Sequence, residues 1–203
     1  MRIAHFCRLA LAISFVVGAT ACSGPKPKLE EWQQSPPGGI TTGDLVFRKG
    51  HGFWTPHFIN ASTREKRFSH VGIVSAVENG KVSILHAEAN EASGKGTIKE
   101  EDWTQFFAEA LEGAVYRYDG DHETAKRFAK NGRTKIGVPF DTAFDLSDSK
   151  RLYCTEFVRN AINEAAGKEL VGFSMISGRP FVTLDDIYAR HFTKIWDSVA
   201  SSK

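Results

Sequence analysis

The sequence predicts an α+β fold built on an antiparallel sheet. Three observations carry this reading. Two β-branched runs, His70–Val77 and Val82–Ala89, flank Asn79-Gly80, the dipeptide most favourable to a tight hairpin turn. Stretches with apolar residues at helical spacing interleave with these hairpin-connected strands. The composition is that of an ordinary globular domain, with 41% apolar, 11% aromatic and 25% charged residues in a chain of 203. Collagen-like, coiled-coil and mostly disordered chains are excluded.

The first element is an address. Residues 1–21 carry Arg2 and Arg8 and no acid, then the apolar run Leu9–Val17, then Gly18, Ala19, Thr20 and Ala21, the layout of a secretory signal. The run is shorter than the roughly 20 residues of a membrane span. Ala19-Thr20-Ala21-Cys22 resembles a bacterial lipobox, with Ala19 where Leu is usual. Cys22 is therefore the expected lipidation site, and cleavage near Ala21 beside an unmodified cysteine is the plainer alternative. Ser23, not Asp, follows it. By resemblance to lipoprotein sorting in Gram-negative bacteria, that favours the outer membrane, facing the periplasm. Residues 22–42, with Pro25, Pro27, Pro36, Pro37, Gly38 and Gly39, read as a lipid-anchored linker that includes Trp32. The domain then spans 43–203. Outside the signal, acidic and basic residues are equal in number and no basic stripe is visible, so no nucleic-acid partner is expected.

Within the domain, Gly43–Phe47 reads as a short strand entered from a turn, 48–58 as a loop, and 55–65 as a short helix after Pro56. After the hairpin and the loop Ser93–Gly96, Lys99–Leu111 reads as a helix, with Trp103, Phe106, Phe107, Ala110 and Leu111 at helical spacing. Ala114–Tyr118 is a strand and His122–Ile136 a helix. Residues 137–141 form a loop before the amphipathic helix Leu152–Ala166, which ends at Gly167. Thr183 caps a helix over 184–190, and Thr193–Trp196 is a last strand.

Three cysteines are present. Cys7 leaves with the signal and Cys22 is the lipid site, so Cys154 alone remains in the folded part. A lone thiol is unusual where cysteines normally pair. Its bland reading is a buried, inert side chain. Yet Cys154 opens a helix, where the free N–H groups and the dipole favour an anion, and a thiol so placed near an imidazole is expected to have a lowered pKa. His70 opens one strand of the hairpin and His86 lies in the other, roughly opposite. Together they supply a base and a group to orient it. Glu88, on the same strand face as His86, is the rival orienter. A zinc site of Cys154, His70 and His86 has acceptable ligand types but lacks paired CxxC or HxxxH spacing. Asp44 reads as a turn residue and Tyr153 as packing.

Five segments in this order resemble the YiiX/YaeF-type family of permuted papain-fold hydrolases, a branch of the NlpC-type amidase and lecithin:retinol acyltransferase-like superfamily. They are Gly43-Asp44-Leu45-Val46-Phe47, Ser69-His70-Val71-Gly72-Ile73-Val74, Leu85-His86-Ala87, Gly137-Val138-Pro139-Phe140-Asp141 and Leu152-Tyr153-Cys154-Thr155-Glu156-Phe157-Val158. In papain-like enzymes the cysteine precedes the histidine. Here His70 precedes Cys154, as in the permuted branch. The resemblance implies a circularly permuted papain-like fold with Cys154 as nucleophile and His70 as base. It puts the third polar group at His86, where the family often has Glu. The implied activity is hydrolysis of an amide through a thioester, without metal or organic cofactor. The expected substrate is a peptide of the cell envelope or, as an alternative, a lipid ester. A non-catalytic binding module on the same fold is the rival of a different class. A monomer is expected.

Overall fold

The structure is a computed structural model and describes residues 28–199. In chain order it contains α1 (Glu31–Gln34), β1 (Leu45–Lys49), α2 (Thr55–Ala61), β2 (His70–Glu78), β3 (Lys81–Ala89), β4 (Gly96–Asp102) and α3 (Trp103–Phe107). There follow β5 (Glu112–Tyr118), α4 (His122–Arg133), α5 (Cys154–Ala166), β6 (Ser174–Ile176), β7 (Arg179–Phe181), α6 (Leu184–Tyr188) and β8 (Phe192–Asp197). Six strands make one antiparallel sheet in the order β4-β3-β2-β1-β5-β8, and β6-β7 form a separate hairpin. This is the α+β architecture read from the sequence. Lipidation at Cys22 falls outside the described residues. Among those residues, no helix is long and apolar enough to cross a membrane.

The hairpin forms as expected. Asn79 and Gly80 both take positive φ, 51° and 78°, which suits the right-handed twist of the flanking strands. A bulge between Val74 and Ala76 then shifts the pairing, so that Ile73 faces Leu85. Stepped outward from there, the register sets Glu88 opposite His70 and His86 diagonal to it.

Alternation along the strands gives the sheet two buried faces. Leu45, Phe47, Val71, Ile73, Leu85 and Ala87 pack toward α4 and α5. Val46, Val74, Ile84 and Val115 pack against Trp103, Phe106 and Phe107 around α3. The linker reading of 22–42 is corrected for its last part. Residues 31–40 dock on this second face: Gln33 donates to the carbonyls of Phe107 and Ala110 at 2.9 and 3.0 Å, and Ile40 is buried. The Trp103 indole donates to the Trp32 carbonyl at 2.8 Å. The docked segment covers aromatic surface that the sheet would otherwise expose to water.

The helix expected over Lys99–Leu111 is also corrected. Its apolar signal comes entirely from 103 onward. Residues 96–102 form a strand in which only Ile98 is buried, and Asp102 caps a short helix by accepting the Gln105 amide. Elsewhere, Gly167 ends α5 with φ 65°, and Thr183 caps α6 through the Asp186 amide. Asp44 accepts from the Thr41 amide and from Arg117, and the Tyr153 hydroxyl accepts from the Val182 amide, so both are structural as read.

Candidate active site

Cys154 is the first residue of α5, with Tyr153 as the preceding cap. Packing of α5 across β2 and β3 carries the thiol to the start of β2. There the backbone N–H groups of Thr155 and Val71 favour its thiolate. Val71 follows His70, so the thiol abuts the first residues of the strand. Cys154 and His70 both line one cleft of about 880 Å³.

His70 projects on the opposite face of the sheet from Val71, toward α3. Its ring centroid lies 5.6 Å from that of Phe106, and His86 lies 5.1 Å from the same ring. His70 Nε2 is 2.9 Å from His86 Nδ1, and His86 Nε2 is 3.0 Å from Glu101 Oε2. A line of three polar side chains thus runs from β2 through β3 to β4. Of the two orienters weighed from sequence, His86 contacts His70. Glu88 instead pairs with Arg48 of β1 and with Lys99 of β4, the latter at 2.9 Å. Arg48 lies over the Phe106 ring at 4.8 Å and donates to the Phe106 carbonyl.

The electrostatics follow from burial and from these neighbours. Burial, joined by Arg48 and His86, holds the His70 imidazole well below its ordinary pKa. Burial also lowers His86, against the opposing pull of Glu101. The hydrogen bond to His86 is the largest influence on Glu101 and holds its carboxyl down to about 2. For Glu88, burial is outweighed by Arg48 and the two imidazoles, and the carboxyl stays ionised. The Cys154 thiol is pushed up to about 12 by burial, against the backbone N–H groups and Arg48. The lowered thiol pKa expected from sequence is therefore corrected. The helix start and nearby cation act in the expected direction, but desolvation at a side chain only 1% exposed is larger. The resting site holds a neutral thiol and a neutral imidazole.

Sequence reading missed Arg48, Lys99 and Glu101. Glu101 lies in the stretch that reads as a helix, and the β-branched pair Thr97-Ile98 is the only local signal for a strand there. Nothing in the sequence marks Arg48.

Ligand atoms of His70, His86 and Glu88 lie within 4.8 Å of one another, a set of types that can hold a divalent cation. Their present partners do not suit one. Glu88 is neutralised by two cations, Arg48 and Lys99, and a proton is shared between the imidazoles. A metal would lie beside the Arg48 guanidinium and displace that proton.

A thiol at a helix start, an imidazole lining the same cleft, and a polar partner behind that imidazole define a papain-like class of site. The inverted order, with the histidine strand before the cysteine helix, makes it the permuted form. The chain belongs to the permuted papain-like amidase family YaeF/YiiX, C92, whose model matches residues 39–177. Its fold is also that of the crystal structure of YiiX from Escherichia coli O157:H7, a protein described as a metalloprotein. The two share 18% identity at a TM-score of 0.64, over 78% of this chain and 97% of that one. No curated protein matches the chain in sequence.

Proposed function

We propose that this member of the amidase family is a cysteine hydrolase that cleaves an amide through a thioester at Cys154. The observation that carries the reading is the shared cleft, in which the helix-start thiol and the neutral His70 imidazole both face substrate space. A neutral thiol and a neutral imidazole lining one cleft call for general-base catalysis rather than a preformed ion pair. As Sγ bonds to the carbonyl carbon, its proton passes to His70, and the carbonyl π electrons move onto oxygen. The free N–H groups at the start of α5 favour negative charge there. The intermediate collapses, the C–N bond breaks, and the leaving amine takes the proton from His70. Water, deprotonated by the same imidazole, then attacks the thioester, releasing the acid and restoring the thiol.

His86 holds the base without touching the reacting atoms. Arg48, Lys95 and Lys99 line the cleft together with Glu88, Glu91 and Glu101, and these walls suit a charged peptide. With lipidation at Cys22, the substrate would be a peptide of the bacterial envelope, met on the periplasmic side of the outer membrane. A second groove of about 280 Å³, lined by Trp54, Phe58, Phe144 and Phe181, adjoins the cleft through Trp54 and Phe58. Its apolar walls favour the ester of a lipid acyl chain as a second reading.

Incubation of the protein with peptidoglycan fragments and, separately, with phospholipids tests both, with products read by mass. The expected result is a peptide amide gaining one water, with no product from Cys154→Ala or His70→Ala. Phospholipid hydrolysis without peptide cleavage would replace the amide reading by the ester one. Product formation undiminished in Cys154→Ala would refute both.

A further inference from the structure

Two neutral imidazoles in contact share one proton, and the group beyond them decides which nitrogen owns it. Glu101 is ionised, and a carboxylate only accepts. His86 therefore carries its hydrogen on Nε2, the nitrogen 3.0 Å from Glu101. His86 is neutral, because burial outweighs the pull of Glu101, so its Nδ1 bears a lone pair. His70 Nε2, 2.9 Å from that lone pair, must donate to it. Neutral His70 then has its own lone pair on Nδ1, the ring nitrogen left to accept a proton from the cleft. We propose that Glu101 is the positioning residue that sets the tautomers of both histidines, and thereby makes His70 a base toward the cleft. The catalytic meaning of this rests on the cysteine amidase reading above. The tautomers themselves do not.

Lys99 makes the assignment testable. Its ammonium lies 2.6 Å from Glu101 Oε1, while His86 uses Oε2. An ammonium only donates. In Glu101→Gln the amide oxygen must face Lys99, and the amide nitrogen then faces His86. Donation into His86 Nε2 moves the His86 hydrogen to Nδ1, where it donates to His70 Nε2. His70 is left with its hydrogen on Nδ1 and no lone pair toward the cleft. The other groups facing the pair are Arg48 from β1, Glu88 from β3 and Phe106 from α3. All of them are unchanged by the substitution. Replacing Lys99 as well, in Glu101→Gln/Lys99→Met, frees the amide to turn and lets the original tautomers return.

The experiment is nitrogen NMR of the imidazoles in histidine-labelled protein, with amide hydrolysis measured on the same samples. Wild type should show both histidines protonated on Nε2 and bare on Nδ1. Glu101→Gln should reverse both, with kcat down about a hundredfold or more and KM little changed. The double variant should recover part of each. Glu101→Asp keeps an acceptor and should keep the wild-type tautomers, so a general packing defect at position 101 is distinguishable. A wild-type His70 protonated on Nδ1, or tautomers unmoved in Glu101→Gln, would overturn the proposal. Tautomers that reverse in a protein whose wild type hydrolyses no amide would leave the assignment standing and remove the amidase reading.

Discussion

Alkylation of Cys154 reads out the resting state of the site. Burial raises the thiol from an ordinary 9.0 to about 12. At any pH well below both values, that lowers the thiolate population about a thousandfold. Iodoacetamide reacts with the thiolate. The native protein should therefore alkylate on the order of a thousand times more slowly than the urea-unfolded chain at pH 7.5, as followed by intact mass. The native rate should rise about tenfold per pH unit through pH 9, with no plateau. The same shift bears on stability. The folded state holds the thiol proton more tightly, so the contribution is complete below about pH 9. It is lost between about 9 and 12, where the unfolded chain ionises first, and amounts to about 4 kcal/mol at most. Denaturant midpoints should fall in that window for wild type more than for Cys154→Ala. A pH-independent native rate between pH 5 and 8, as fast as that of the unfolded chain, would show a preformed thiolate–imidazolium pair and refute the neutral-pair mechanism.

Three further outcomes follow from other parts of the molecule. Gly43 has φ 93°, and a Cβ there would lie 2.3 Å from the Ala125 carbonyl oxygen. Gly43→Ala should cost more than about 1 kcal/mol, seen as a lower thermal midpoint. The buried Glu156 carboxyl, with one oxygen unpartnered, is pushed up to about 8 by burial and by Asp141. Its contribution to stability is complete below about pH 4.5 and is lost as pH rises to about 8. Glu156→Gln should match wild type near pH 4 and exceed it at pH 8 in denaturant midpoint. Cys22→Ser should leave the membrane fraction or persist as an uncut precursor, and fractionation and migration like wild type would refute lipidation.

How much of this was legible in advance depends on the range of the interactions involved. Local chemistry showed the hairpin at Asn79-Gly80, a helix with Cys154 in its first turn and its end at Gly167, because turns and caps are set by residues a few positions apart; the structure starts that helix at Cys154 rather than at Leu152. The pairing of His70 with His86 was also within reach, since one tight turn joins their strands and bounds the register. The bulge at Val74/Ala76 then adjusted that register, making Glu88 the residue opposite His70 and His86 the diagonal one that its imidazole contacts.

Beyond that range the tertiary structure decided. Glu101 and Arg48 reach the histidines from β4 and β1, strands whose neighbours are chosen by burial of two sheet faces and not by anything nearby in the chain. Residues 31–40 have the composition of a linker, and they dock because Trp103 and Phe107 expose a surface that only the assembled sheet creates. The thiol pKa went the same way. Sequence alone determined that Cys154 lies in the first turn of a helix and that a histidine precedes it in a permuted order. Burial by α5, β2 and the cleft walls determined that desolvation outweighs the helix start, since the cost of removing a charge from water depends on every atom packed around it.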